Sequence, residues 1–120
     1  MNPRLAALEK LIGGPRDGQL LRYSLGNEYL TAGDPAAAAA AFEAAIGFQA
    51  DYSAAWKGLG KARQAQGELA AALAAFSRGI EVATARGDIQ AAKEMKVFAK
   101  RLGASSTSQP AGETPTGDGA

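Results

Sequence analysis

The pair Leu25-Gly26 returns as Leu59-Gly60, 34 residues further on. At the same offset Gly33 is matched by Gly67, Asp34 by Glu68, Ala38 by Ala72 and Phe42 by Phe76. So short a repeated unit cannot cover its own apolar face, so copies of it must stack to make a core. The spacing inside the unit is helical. Apolar residues recur at intervals of three and four, alanine dominates, and β-branched residues are few. Gly33, Gly67 and Gly87 suit the left-handed residue that ends a helix. Asp34, Asp51 and Asp88 offer N-cap oxygens, and Pro35 is tolerated in a first helical turn. This punctuation predicts helices at about 3–12, 18–32, 35–48, 52–66, 69–86 and 88–102.

Paired in order, the central helices form an antiparallel hairpin used twice. Gly26 and Gly60 lack a side chain where the partner helix crosses, and Ala38 and Ala72 are expected opposite them, small against small. Phe42 and Phe76 then fill the space where the helices diverge, with Leu25, Tyr29 and Leu59 along the seam. These residues resemble the tetratricopeptide repeat, whose pattern runs Trp, Leu-Gly, Tyr, then Ala, Phe, Ala and Pro. Trp56, Leu59-Gly60, Gly67, Ala72 and Phe76 carry the likeness in the second unit. Leu25-Gly26, Tyr29, Gly33, Ala38, Phe42 and Ala45 carry it in the first, where Arg22 stands in place of the Trp. Arg63 replaces Tyr29, Gly79 replaces Ala45, and Ala50 and Thr84 stand where the closing Pro belongs.

The whole of Pro15–Leu102 is also similar to a group of short bacterial members of that family. That likeness rests on Pro15-Arg16-Asp17-Gly18, Ser24–Leu30, Ala54–Lys57 and Gln90–Met95, and it adds no reaction. The resemblance implies an all-α fold, an α–α superhelix of two stacked hairpins. The repeats fall at about 19–52 and 53–86 of a domain spanning 1–102. Helix 3–12 is expected to cover one end with Leu5, Leu8, Leu11 and Ile12. Helix 88–102, with its stripe Ile89, Ala92, Met95, Phe98 and Leu102, is expected to cap the other. Residues 103–120 carry Glu113 and Asp118 as their only charges and too few apolar side chains to offset ordering, which predicts a disordered tail.

Composition narrows the chemistry. There is no Cys and no His, which removes thiolate nucleophiles, imidazole bases and the usual zinc ligands. No catalytic group, cofactor or metal site is expected, and the carboxylates are scattered. The charge is near balance, 13 Lys plus Arg against 12 Asp plus Glu, which speaks against a broad electrostatic grip on nucleic acid. Without the two tail acids, Met1–Leu102 holds 13 basic and 10 acidic side chains, a net +3. No apolar run suits a membrane span or a secretory signal, so a cytoplasmic, non-catalytic protein is the expectation.

The resemblance implies a concave face lined by the first helix of each hairpin, where the family holds extended or helical peptides. The helix turns place Leu20, Tyr23, Asn27, Leu30 and Thr31 there from the first repeat, and Ala54, Lys57, Lys61 and Gln64 from the second. Asn27, Lys57 and Lys61 suit an acidic side chain or a C-terminal carboxylate of a protein or peptide partner. Lys57 and Lys61 equally describe one solvated helix face. Trp56 belongs to the core by its place in the repeat, although a lone Trp can also be a binding aromatic. Tyr23 fits either a ligand stack or a half-buried site. Lys93, Lys96, Lys100 and Arg101 form a basic stripe that complements the helix dipole or serves an acidic or RNA partner. Self-association through Ala36–Ala41 or an exposed end is the structural alternative.

Overall fold

The computed structural model describes residues 2–107, and the expected tail beyond Thr107 lies outside the described residues. Six helices and no strand appear among them. They are α1 (Pro3–Glu9), α2 (Gln19–Thr31), α3 (Pro35–Phe48), α4 (Ser53–Ala65), α5 (Leu69–Ala85) and α6 (Ile89–Thr107). Two ends differ from expectation. α1 stops at Glu9, and tighter turns carry the chain through Ile12 to Gly13. α6 continues past Leu102 to Thr107, so the first residues assigned to the tail are helical.

One turn is used three times. After α2 the Asp34 amide reaches back to the Tyr29 carbonyl at 2.9 Å, after α4 Glu68 to Arg63 at 2.9 Å, and after α5 Asp88 to Ala83 at 2.8 Å. This six-residue closure needs a left-handed residue just before the bonding amide. Gly33 and Gly67 supply it, at φ 80° and 79°. Asp34 and Asp88 then cap the next helix, accepting from the Ala37 amide at 3.2 Å and the Ala91 amide at 3.3 Å. Asp51 does not cap. α4 is entered through Tyr52, and Asp51 faces Arg86 instead, whose guanidinium donates to the Asp51 carbonyl at 2.9 Å. The open connection after α3 has no glycine turn to fix a capping geometry there.

Consecutive helices pack against one another, and α2, α4 and α6 also touch in series. The small-against-small crossing is not what brings the hairpins together. A methyl group on Gly26 or on Gly58 would collide with the ring of Phe42, and one on Gly60 with the ring of Phe76. The glycines therefore seat phenylalanines rather than alanines. Phe42 is fully buried with a glycine helix face on each side, and Ala38 is buried one turn before it on α3. Burying such a ring contributes about 1.5–3 kcal/mol, the largest single apolar term in a core this rich in alanine.

The exchange of Ala45 for Gly79 has a local cause. A methyl on Gly79 would meet Met95 of α6 and the Cβ of Trp56. α6 thus sits where a third first-helix belongs, with buried Ala92 at the offset from Gly58 and buried Met95 over Gly79. Its expected stripe loses one member. Ala92, Met95 and Leu102 are buried, but Ile89 is 65% exposed, because no helix follows to cover it among the described residues. At the other end Leu5, Leu8 and Leu11 pack on Leu21, Leu25 and Ala41, as expected of an N-terminal cover, but Ile12 stays exposed, because α1 ends at Glu9 before reaching it.

Candidate functional site

The predicted groove residues lie on the face made by α2, α4 and α6, and the structure divides them into two groups. On α2, Tyr23 and Leu30 serve packing, while Asn27 and Leu20 do not. The Tyr23 ring is half-buried, 5.9 Å from Phe42 and 5.3 Å from Tyr52 between centroids. Burial among these rings pushes the Tyr52 hydroxyl above its usual pKa. Leu30 is half-buried against the same core. Asn27 is exposed and accepts from the Thr31 hydroxyl through its carbonyl at 3.1 Å, and Leu20 is exposed without a partner element.

The α4–α6 half carries the charge. Lys57 is engaged in an ion pair. Its Nζ lies 2.8 Å from Glu94 Oε1 on α6, and Gln90 donates to the other Glu94 oxygen at 3.2 Å. The Lys57 contact first, then Gln90, holds the Glu94 carboxyl below its ordinary range. Lys61 is exposed, with its ammonium 5.6 Å from the Phe98 ring centroid, a cation–π distance. Phe98 in turn stacks on Phe76 at 5.6 Å.

Lys61, Gln64, Ala65, Phe98 and Arg101 surround an open cleft of about 440 Å³. Two cations, an amide and an aromatic face can hold an anionic group beside an apolar one. Lys61 and Gln64 were legible as groove residues, whereas Phe98, Arg101 and Glu94 were not. The offset carried one unit further would have found Phe98, which follows Leu30 and Gln64 at that repeat position. Arg101, which the sequence places with the lysine stripe, turns toward the cleft while Lys93, Lys96 and Lys100 stay exposed elsewhere on α6.

Trp56 is half-buried and donates its indole N–H to the Ala50 carbonyl at 2.9 Å. It also edges a second cleft of about 390 Å³, with Leu59, Ala71, Ala74 and Ala75 as its apolar lining and Arg63 and Arg78 beside them. Among the described residues no cluster of carboxylates is placed to hold a metal, and no helix is long and apolar enough to cross a membrane.

No protein-family profile matches the chain. It is 45% identical over 98 residues to the TPR repeat-containing protein PA0015 of Pseudomonas aeruginosa, covering 82% of this chain and 93% of that one. The solution structure of protein BPP2914 from Bordetella parapertussis superposes with a TM-score of 0.80 at 36% identity, over 96% of this chain and all of that one. A tetratricopeptide repeat domain protein of Salinibacter ruber superposes with a TM-score of 0.68 at 25% identity, over 73% of this chain and 98% of its own.

Proposed function

Because the chain belongs to the tetratricopeptide-repeat family, which points in general to non-catalytic protein–protein interaction modules, we propose that its α2–α4–α6 face binds a segment of a partner protein. The observation that carries this reading is the open cleft between α4 and α6, in which Lys61, Gln64 and Arg101 surround the Phe98 ring. The partner segment presents a carboxylate, from an acidic side chain or a chain end, to Lys61 and Arg101, and an apolar group to Phe98. Lys57 contributes indirectly. Its ion pair with Glu94 ties α4 to α6 and fixes the width of the cleft. Asn27, Tyr23 and Leu30 extend the same face along α2, where a longer segment continues. The setting is cytoplasmic.

The test is affinity capture with the full chain and with the double variant Lys61→Glu/Arg101→Glu, followed by mass spectrometry. Both residues are exposed, so the helical circular-dichroism signal is expected to be unchanged. Proteins retained by the natural chain and lost from the variant support the reading. An identical set from both overturns it.

A further inference from the structure

The outer face of α6 is a separate feature, away from the cleft. In the earlier repeats the same positions are covered. Leu21 and Leu25 of α2, and Ala55, Leu59 and Ala62 of α4, are all buried between the helices on either side. Carried one unit further, these places fall on Ile89, Lys93 and Lys96, and all three are exposed. α5 still flanks this face on one side, but no described helix lies on the other.

Two aliphatic side chains, Ile89 (65% exposed) and Val97 (47% exposed), lie on this face among Lys93, Lys96 and Lys100. Residues 89, 93, 96, 97 and 100 follow the spacing of a single helix face. None of the three lysines makes an ion pair among the described residues, whereas Lys57, Arg63, Arg78 and Arg86 on neighbouring elements all do. The acids on and next to α6 are already engaged: Asp88 caps the helix and accepts from Ser53, and Glu94 is held by Lys57 and Gln90. A hollow of about 300 Å³ opens at this face, with Thr84 and Gly87 on its α5 side and Ile89, Ala92, Lys93 and Lys96 on its α6 side.

We propose that this face docks an acidic amphipathic helix of a partner protein, which takes the place that the second helix of a third hairpin would fill. Its aliphatic stripe covers Ile89 and Val97 and enters the hollow beside Ala92. Its flanking carboxylates pair with Lys93, Lys96 and Lys100. The geometry comes from the repeat register and the chemistry from the unpaired lysines, so the inference does not depend on the cleft between α4 and α6.

The test uses the full ¹⁵N-labelled chain. The probe is a synthetic 16-residue helical peptide with leucines along one stripe and glutamates on both flanks; its lysine-flanked counterpart is the control. The glutamate peptide is expected to shift amide resonances of residues 89–100 saturably, and the lysine peptide is not. Lys93→Glu/Lys96→Glu weakens the interaction about tenfold, and Val97→Ser weakens it less, both without loss of helical signal. Several results overturn the proposal. They are no shift at millimolar peptide, shifts confined to Lys61 and Phe98, equal binding of the lysine peptide, and equal shifts from a short oligonucleotide. Shifts of residues 89–100 on simple dilution would assign the face to a second copy. Shifts on Glu113→Gln/Asp118→Asn without peptide would assign it to the chain's own tail. Either of these overturns the proposal too.

Discussion

The two hairpins share a register, yet they seat their central rings differently. Phe42 of the first lies between two backbones, with Gly26 on one side and Gly58 on the other. Phe76 of the second has Gly60 on one side and the Phe98 ring stacked on it, within a cluster that also holds Met95 and Ala92. Backbone is rigid and cannot follow a shrinking neighbour, whereas methionine and a surface phenylalanine can turn to fill a gap. The lateral ties differ as well. Tyr29 donates to Glu9 at 2.6 Å, while its repeat counterpart Arg63 bridges Glu43 and Glu68. Glu9 and Glu43 occupy the same place in the repeat, so one carboxylate position is served by a phenol in one unit and a guanidinium in the next. A repeat fixes where a contact falls; the chemistry of the contact is free to change.

The sharpest way to break this contrast is to remove each ring. Phe42→Ala is expected to cost about 3–5 kcal/mol and Phe76→Ala distinctly less, read by urea unfolding. Equal losses would mean that Met95 and Phe98 do not relax. Adding a methyl where the ring is held on both sides comes next. Gly58→Ala should destabilise by about 1–3 kcal/mol through overpacking against Phe42. Gly47→Ala, where a methyl meets nothing, should gain about 0.5–1 kcal/mol from helix propensity alone. The opposite signs are the point of the pair.

Smaller effects separate the lateral ties. The Glu9 hydrogen bond pushes the Tyr29 hydroxyl up to about 12. A raised folded-state value means that its stabilisation is complete below the unfolded value near 10 and is lost as pH climbs toward 12. Tyr29→Phe should therefore lower the melting temperature at pH 8 by the equivalent of about 0.5–1 kcal/mol, and the difference from the natural chain should close above pH 11. The smallest effect belongs to Glu94, whose value is lowered from 4.5 by Lys57. Its contribution is present above the unfolded value and disappears as pH falls below it. Thermal melts between pH 5 and 3 should show a gentler acid slope for Glu94→Gln than for the natural chain, and parallel slopes would remove the ion pair as a tie between α4 and α6.

Much of the scaffold was legible because it is periodic. The offset between the Leu-Gly pairs located both hairpins, and the glycines before Asp34, Glu68 and Asp88 marked where helices stop. What the offset could not supply was the partner of each glycine, since Ala38 and Phe42 lie one turn apart on the same helix face and either could have filled the gap. Nor could it anticipate Lys57 meeting Glu94. That contact joins α4 to α6, where Leu25-Gly26 and Leu59-Gly60 have given way to Lys93-Glu94 and the repeat signature has lapsed. Lys61 and Gln64 are legible as neighbours on one face of a first helix, whereas the spacing on α6 reads Phe98 as a capping residue and Arg101 as one of a basic stripe, and neither pattern says that the two meet beside Lys61.

The bond from Trp56 to the Ala50 carbonyl joins the start of the second hairpin to the loop that leaves the first. Since this is the only indole in the chain, its emission watches that joint alone. Light from it will change when the hairpins part even while each stays helical, so fluorescence and circular dichroism recorded on one sample can tell separation of the units from melting of the helices within them.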